Sequence, residues 1–259
     1  MNPRPVPVHV PAPRWRCAVD ELVPRVVPVD GPADAVCLLD GHGPWWREVE
    51  RLFAAGARGA VVVSPSTAPV DRVEALTALG GPVALCRPRL EGRTPPGPGA
   101  APHLVVADVV AARARAATAV RDAAGWARHL AGSALVPEAV TGGGAAVVVT
   151  STSTAGVPVT LTLAVGPAET STALDVVAVG PARAEVRVDD ATGRREVAVT
   201  DDRGTLVLPC RYEDGARSAL RRVVGALAAG EAGAAGLPDL AELVADEEIA
   251  QRVVAALRP

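Results

Sequence analysis

"DAVCLLDGHGPWWREVERLFAAGARGAVVVSP", residues 34–65, is the stretch on which the fold turns. Its first seven residues, 34–40, hold a continuous apolar run, 35–39, followed by Gly41 and Gly43. A run of that length without polar alternation is a strand covered on both faces, and therefore a parallel one. Trp45, Val49, Leu52 and Phe53 then recur near helical spacing up to Gly56, and "GAVVVSP" is a second buried run. Together they make one β-α-β unit. Its second strand ends at Val63-Ser64-Pro65, the carboxyl edge where open α/β sheets keep their ligand-binding groups.

Outward from this unit the alternation continues. A helix is expected over 68–81, with Val70, Val73, Leu76 and Leu79 on one face, followed by the short strand "PVALCRP". The segment "EGRTPPGPGAAP", 91–102, is rich in proline and glycine with few apolar anchors, and is expected to divide a domain at 1–98 from one at 99–259. Upstream, Pro3, Pro5, Pro7, Pro11 and Pro13 remove backbone donors, so residues 1–14 are expected as an edge strand or extended arm. Downstream come the strand "HLVVADV", a helix over roughly 110–131, and a series of β segments. In "VTLTLAV" Val159, Leu161, Leu163 and Val165 alternate with Thr160, Thr162 and Ala164, which predicts antiparallel strands with one core face. Helices over 217–230 and 237–259 close the chain. The fold class expected is a truncated Rossmann-like parallel α/β domain followed by a mixed or antiparallel open β-sheet domain with flanking helices.

Composition narrows the chemistry. The chain has 259 residues, a formal net charge of −3 and no dense basic run, so nucleic acid is not an expected partner. No apolar stretch is long enough to span a membrane, and "MNPRPVPVHVPAPRWR" lacks the apolar core of a signal peptide, so a cytoplasmic protein is expected. Cys17, Cys37, Cys86 and Cys210 are scattered, as are His9, His42, His103 and His129; buried thiols are expected and no metal site. All 26 basic residues are arginine, a bias consistent with high-GC coding. Without lysine, any mechanism that requires a lysine amine is excluded.

The order of "DAV" entering a strand, a helix ending at Ala55-Gly56, a strand ending at Ser64-Pro65, the later "GWARHLAG" and a closing sheet with two helices resembles the Gfo/Idh/MocA family of NAD(P)-dependent oxidoreductases, over about residues 30–257. The resemblance implies a Rossmann domain followed by a sheet domain that binds substrate and builds a dimer. It also implies a glutamate-lysine-proline signature where this chain has Val63-Ser64-Pro65, and an aspartate-x-x-x-histidine pattern where it has Thr118 and Asp122. A hydroxyl does not titrate near neutrality, so the lysine's proton-handling role is not replaced in kind. No glycine precedes Gly31, so the G-x-G-x-x-G turn that holds a dinucleotide diphosphate is missing. The first β-α-β unit is expected to be absent or heavily reduced.

The leading expectation is a degenerate homologue with no cofactor, NAD(P) included, acting as a homodimer or as the partner of an active oxidoreductase through its sheet domain. The runner-up is an enzyme of specialised metabolism using the old crevice for non-redox chemistry on a small molecule, with Asp122 as base and Ser64 as hydrogen-bond donor. A reductase with an altered cofactor mode is the third. Asp40, His42, Trp45 and Arg87 are the ligand-binding candidates, and plainer readings stand beside three of them: His42 as a solvated loop residue, Trp45 or Trp46 as core, Arg87 and Arg89 as solvated cations. "TGGGAA", 141–146, is read as a tight turn rather than a phosphate cradle, because a β segment follows it.

Overall fold

The computed structural model describes residues 4–91, 101–208, 214–230 and 237–257. The chain forms two compact units, Met1–Glu91 with Tyr212–Val244, and Gly92–Arg211 with Ala245–Pro259. The expected division at residues 98 and 99 lies outside the described residues, and the first unit takes back a C-terminal segment that the sequence reading had given to the second. The reason is packing. Helix α5 (Gly215–Ala228) presents Ala216, Ala219, Leu220 and Val223 to the buried Val36, Leu38, Val61 and Val63.

The first unit is built on a five-stranded parallel sheet in the order β2-β1-β3-β4-β5, with β1 at Val6–His9, β2 at Val26–Val29, β3 at Val36–Asp40, β4 at Gly59–Val63 and β5 at Val83–Cys86. Strands β3, β4 and β5 are buried nearly throughout, as their unbroken apolar runs require. Helices α2 (Trp45–Ala54) and α3 (Val70–Leu76) cover one face through Trp45, Val49, Leu52, Val73 and Leu76. The short α1 (Arg16–Asp20) and α5 cover the other. α3 is shorter than the span expected for it.

One expectation is corrected here. Residues 6–9 are neither an edge strand nor an arm: β1 pairs with β2 on one side and β3 on the other. Its one proline, Pro7, is tolerated because pairing to β3 begins only at Val8, while β2, which carries Pro28, is the edge. The first β-α-β unit is heavily reduced, one of the two forms expected for it: β1, a 3-10 turn at Pro13–Trp15, the five-residue α1 and the four-residue β2.

The second unit is an eight-stranded mixed sheet in the order β13-β12-β11-β10-β6-β9-β8-β7. These strands run β6 Leu104–Ala112, β7 Leu135–Gly143, β8 Ala146–Ser153, β9 Pro158–Gly166, β10 Ala173–Val179, β11 Arg183–Asp189, β12 Arg194–Asp201 and β13 Gly204–Leu208. All pairs are antiparallel except β6 with β9. Helix α4 starts only at Ala116 and runs to Ala131, because β6 continues to Ala112, past the point where a helix was expected. The "TGGGAA" cluster makes the turn between β7 and β8, with Gly142 and Gly144 at positive φ and Gly143 paired to Ala146. Helix α6 (Asp239–Ala256) closes the chain, its first residues belonging to the first unit and the rest to the second. Among the described residues no helix is long and apolar enough to cross a membrane.

Candidate functional site

The carboxyl ends of β1, β3, β4 and β5 form one edge of the parallel sheet. Chain order reverses around β1, whose neighbours are β2 and β3, so the crevice at its carboxyl end is the switch point where open α/β sheets bind ligands. Two loops are locked together beside it. The Gly41 N–H donates to the Val63 carbonyl at 2.7 Å, the Ser66 N–H to the Gly41 carbonyl at 2.7 Å, and the Ser66 hydroxyl to the Gly43 carbonyl at 2.9 Å. The Trp45 ring N–H donates to the Ser66 carbonyl at 3.0 Å, and Trp46 meets Trp45 edge-on. Trp45 is 1% exposed, so its plainer reading holds: it is core that ties two loops.

Ser64 is half-buried at the end of β4, with φ of +54° and its N–H donating to the Cys86 carbonyl at 2.9 Å. A side-chain-bearing residue in the left-handed region carries strain that the surroundings must hold. What holds it is Gly41: a Cβ there would stand 2.4 Å from Pro65 Cα and 2.7 Å from the Ser64 carbonyl carbon. Gly41→Ala is expected to destabilise the first unit by about 1–3 kcal/mol, the usual cost of overpacking, and Ser64→Gly to be neutral or mildly stabilising. Denaturant midpoints at unchanged slope check both signs.

At the end of β3, Asp40 forms an ion pair with Arg14, from the turn that follows β1. Its Oδ1 accepts from the His42 N–H at 3.3 Å and lies 3.7 Å from the His42 ring Nε2. The His42 side chain is 78% exposed, as the loop reading expected. Arg87, one residue beyond β5, is buried. The structure thus brings Asp40, His42, Trp45 and Ser64 onto one edge. Asp122, by contrast, belongs to the second unit, 2% exposed in α4, with its Oδ1 3.5 Å from Arg121 Nε. Of the thiols, Cys37 and Cys86 are buried and Cys17 is exposed, against the expectation for it; Cys210 lies outside the described residues. Burial pushes the Cys37 thiol up to about 11, so it stays neutral near pH 7.

No protein-family model matches the sequence, and no curated protein matches it. Solved structures do. A UDP-N-acetylglucosamine 3-dehydrogenase from Acidithiobacillus ferrooxidans superposes with a TM-score of 0.69 at 12% identity, covering 99% of this chain and 98% of that one. A 3-ketoreductase from Actinomadura kijaniata, in complex with NADP and TDP-benzene, gives 0.63 at 14% identity over 98% of each chain. A Clostridium difficile dehydrogenase gives 0.57 at 10% identity, over 97% of this chain and 90% of that one. The fold is that of Gfo/Idh/MocA-type dehydrogenases. The comparison also corrects the expectation of no nicotinamide cofactor, since a structure matched along nearly its whole length holds NADP. That expectation rested on the missing glycine turn and the short segment before Asp34, within which β1, α1 and β2 are nevertheless built.

The residues at the switch point suit a dinucleotide held by side chains. Asp30 directly follows β2, whose last residue Val29 pairs with His9, the last residue of β1. An acid at the end of the second strand is the group that accepts a ribose hydroxyl. Arg14 supplies a cation beside the ends of β1 and β3. Neither was among the sequence candidates. An acid about 20 residues past the first strand was the available signal for Asp30, and it requires that β1 be recognised as a strand.

Proposed function

We propose that this protein binds NAD(H) at the carboxyl edge of β1–β3 and does not perform the lysine-dependent hydride transfer of the dehydrogenases it resembles. The observation that carries the reading is Val63-Ser64-Pro65. The resemblance puts a lysine at Ser64, and a chain whose 26 basic residues are all arginine has no amine to deliver a proton there. When bound, the cofactor would supply a hydride acceptor or donor. The chain's own part is to accept the ribose at Asp30, to hold the loops of Asp40 and Ser64 rigid through Gly41 and Ser66, and to present a hydroxyl where an acid is required. Asp30 also favours a free 2′-hydroxyl over a 2′-phosphate, so NADH should bind more tightly than NADPH.

The sheet domain supports a homodimer. On the open face of the second sheet Asp108 stands opposite Asp175, and Asp175 opposite Arg187, flanked by Val110 and Val179, which are 43% and 44% exposed. A row holding both charge signs beside exposed valines is the kind of surface that can meet its own two-fold copy, and this is what supports the homodimer. The test supplies purified protein with NADH and a panel of nucleotide-linked 3-keto sugars, the class suggested by the similar structures. Saturable NADH binding without substrate-dependent oxidation, in a particle that sediments as a dimer, is the result expected. Substrate-dependent oxidation of NADH would overturn it.

A further inference from the structure

We propose that Arg14 is the anion-gripping group of this crevice: its guanidinium takes the diphosphate of the dinucleotide in place of backbone N–H groups, and Asp40 holds it until the ligand arrives. The proposal rests on the dinucleotide reading above and adds the residue and the mode of binding.

A backbone cradle for phosphate needs successive N–H groups turned to one side, which calls for residues at positive φ. Among the described residues before Asp34 none has positive φ, and Pro11 and Pro13 remove two donors from the loop after β1. The chain has placed something else at that point. Arg14 sits in the turn Pro13–Trp15, directly after β1, and reaches Asp40 at the end of β3, the strand paired to β1 through Val8 with Val36 and His9 with Cys37. The guanidinium carbon lies 5.1 Å from the Trp15 ring centroid, a platform that orients its fork. The Arg14 and Asp40 side chains are 56% and 32% exposed, so a ligand reaches both. A solvated carboxylate holds a guanidinium weakly, while a diphosphate offers more charge and a bidentate edge; exchange of one anion for the other is therefore favourable.

The experiment follows the tryptophan fluorescence of the full chain, to which Trp15 contributes, during titration with NADH and, separately, with inorganic pyrophosphate, with calorimetry as a second readout. Arg14→Ala is expected to weaken both ligands about tenfold or more, and Arg14→Lys to recover only part of the loss because an ammonium lacks the fork. Asp40→Asn removes the internal competitor and is expected to tighten both. Equal NADH affinity in wild type and Arg14→Ala would overturn the role of Arg14 and leave the dinucleotide reading standing. Pyrophosphate binding that depends on Arg14, without NADH binding, would support the anion grip and sink the dinucleotide reading. Failure of both ligands to bind wild type would overturn both.

Discussion

Arg121→Met is expected to be the most damaging single substitution in the second unit, at about 3–5 kcal/mol, the range for removing one partner of a buried ion pair. Arg121 donates from Nη1 to Glu247 Oε1 at 3.0 Å and faces Asp122 at 3.5 Å, and all three side chains are 4% exposed or less. Methionine fills the volume but withdraws the guanidinium that both carboxylates face. Their charges are then left in a poorly solvating interior. Arg121→Met combined with Glu247→Leu should recover part of the stability and not all of it, since Asp122 still lacks that cation. Urea midpoints of the single and double variants at pH 7 measure both effects.

Asp239→Ala is the second large effect expected, about 3 kcal/mol in the first unit. β5 is an edge strand, and an edge exposes backbone groups that a neighbour would otherwise satisfy. Two side chains stand in for that neighbour. Asp239 Oδ2 accepts from the Leu85 N–H at 2.7 Å, Arg222 Nη2 donates to the Leu85 carbonyl at 3.2 Å, and Arg222 Nη1 donates to Asp239 Oδ1 at 2.5 Å. Alanine leaves a buried N–H without an acceptor and Arg222 without its carboxylate. Asparagine keeps an acceptor for Leu85 and should cost clearly less, a difference that a simple loss of helix-terminal charge would not produce.

These two clusters mark where sequence reading stops. The run from Ala35 to Cys86 reads correctly as alternating strands and helices because buried parallel strands leave unbroken apolar runs and α2 leaves a clean helical stripe. The later strands read correctly wherever apolar and polar residues alternate, as in β9. The central place of β1, legible only as an edge strand or arm, and the whole of β2 are masked by their prolines, which argue against central strands by composition but are tolerated where the ladder does not need their N–H. β7 was hidden because an edge strand with a bulge between Pro137 and Ala139 buries too little to show a pattern. With β1 legible only as an edge strand or arm and β2 not at all, Arg14 and Asp30 had no defined strand ends to stand on. Ser64 could be found because it ends a strand that the sequence declares plainly. Asp239 and Glu247 come from α6, far along the chain from Leu85 and Arg121, and no local pattern announces such pairings.

The account depends on a dinucleotide crevice that survives without a glycine turn. Calorimetric titration of the full chain with NADH and with NADPH tests this most directly. Saturable binding with NADH the tighter of the two is predicted from Asp30 and Arg14; no heat from either cofactor up to millimolar concentration would contradict it.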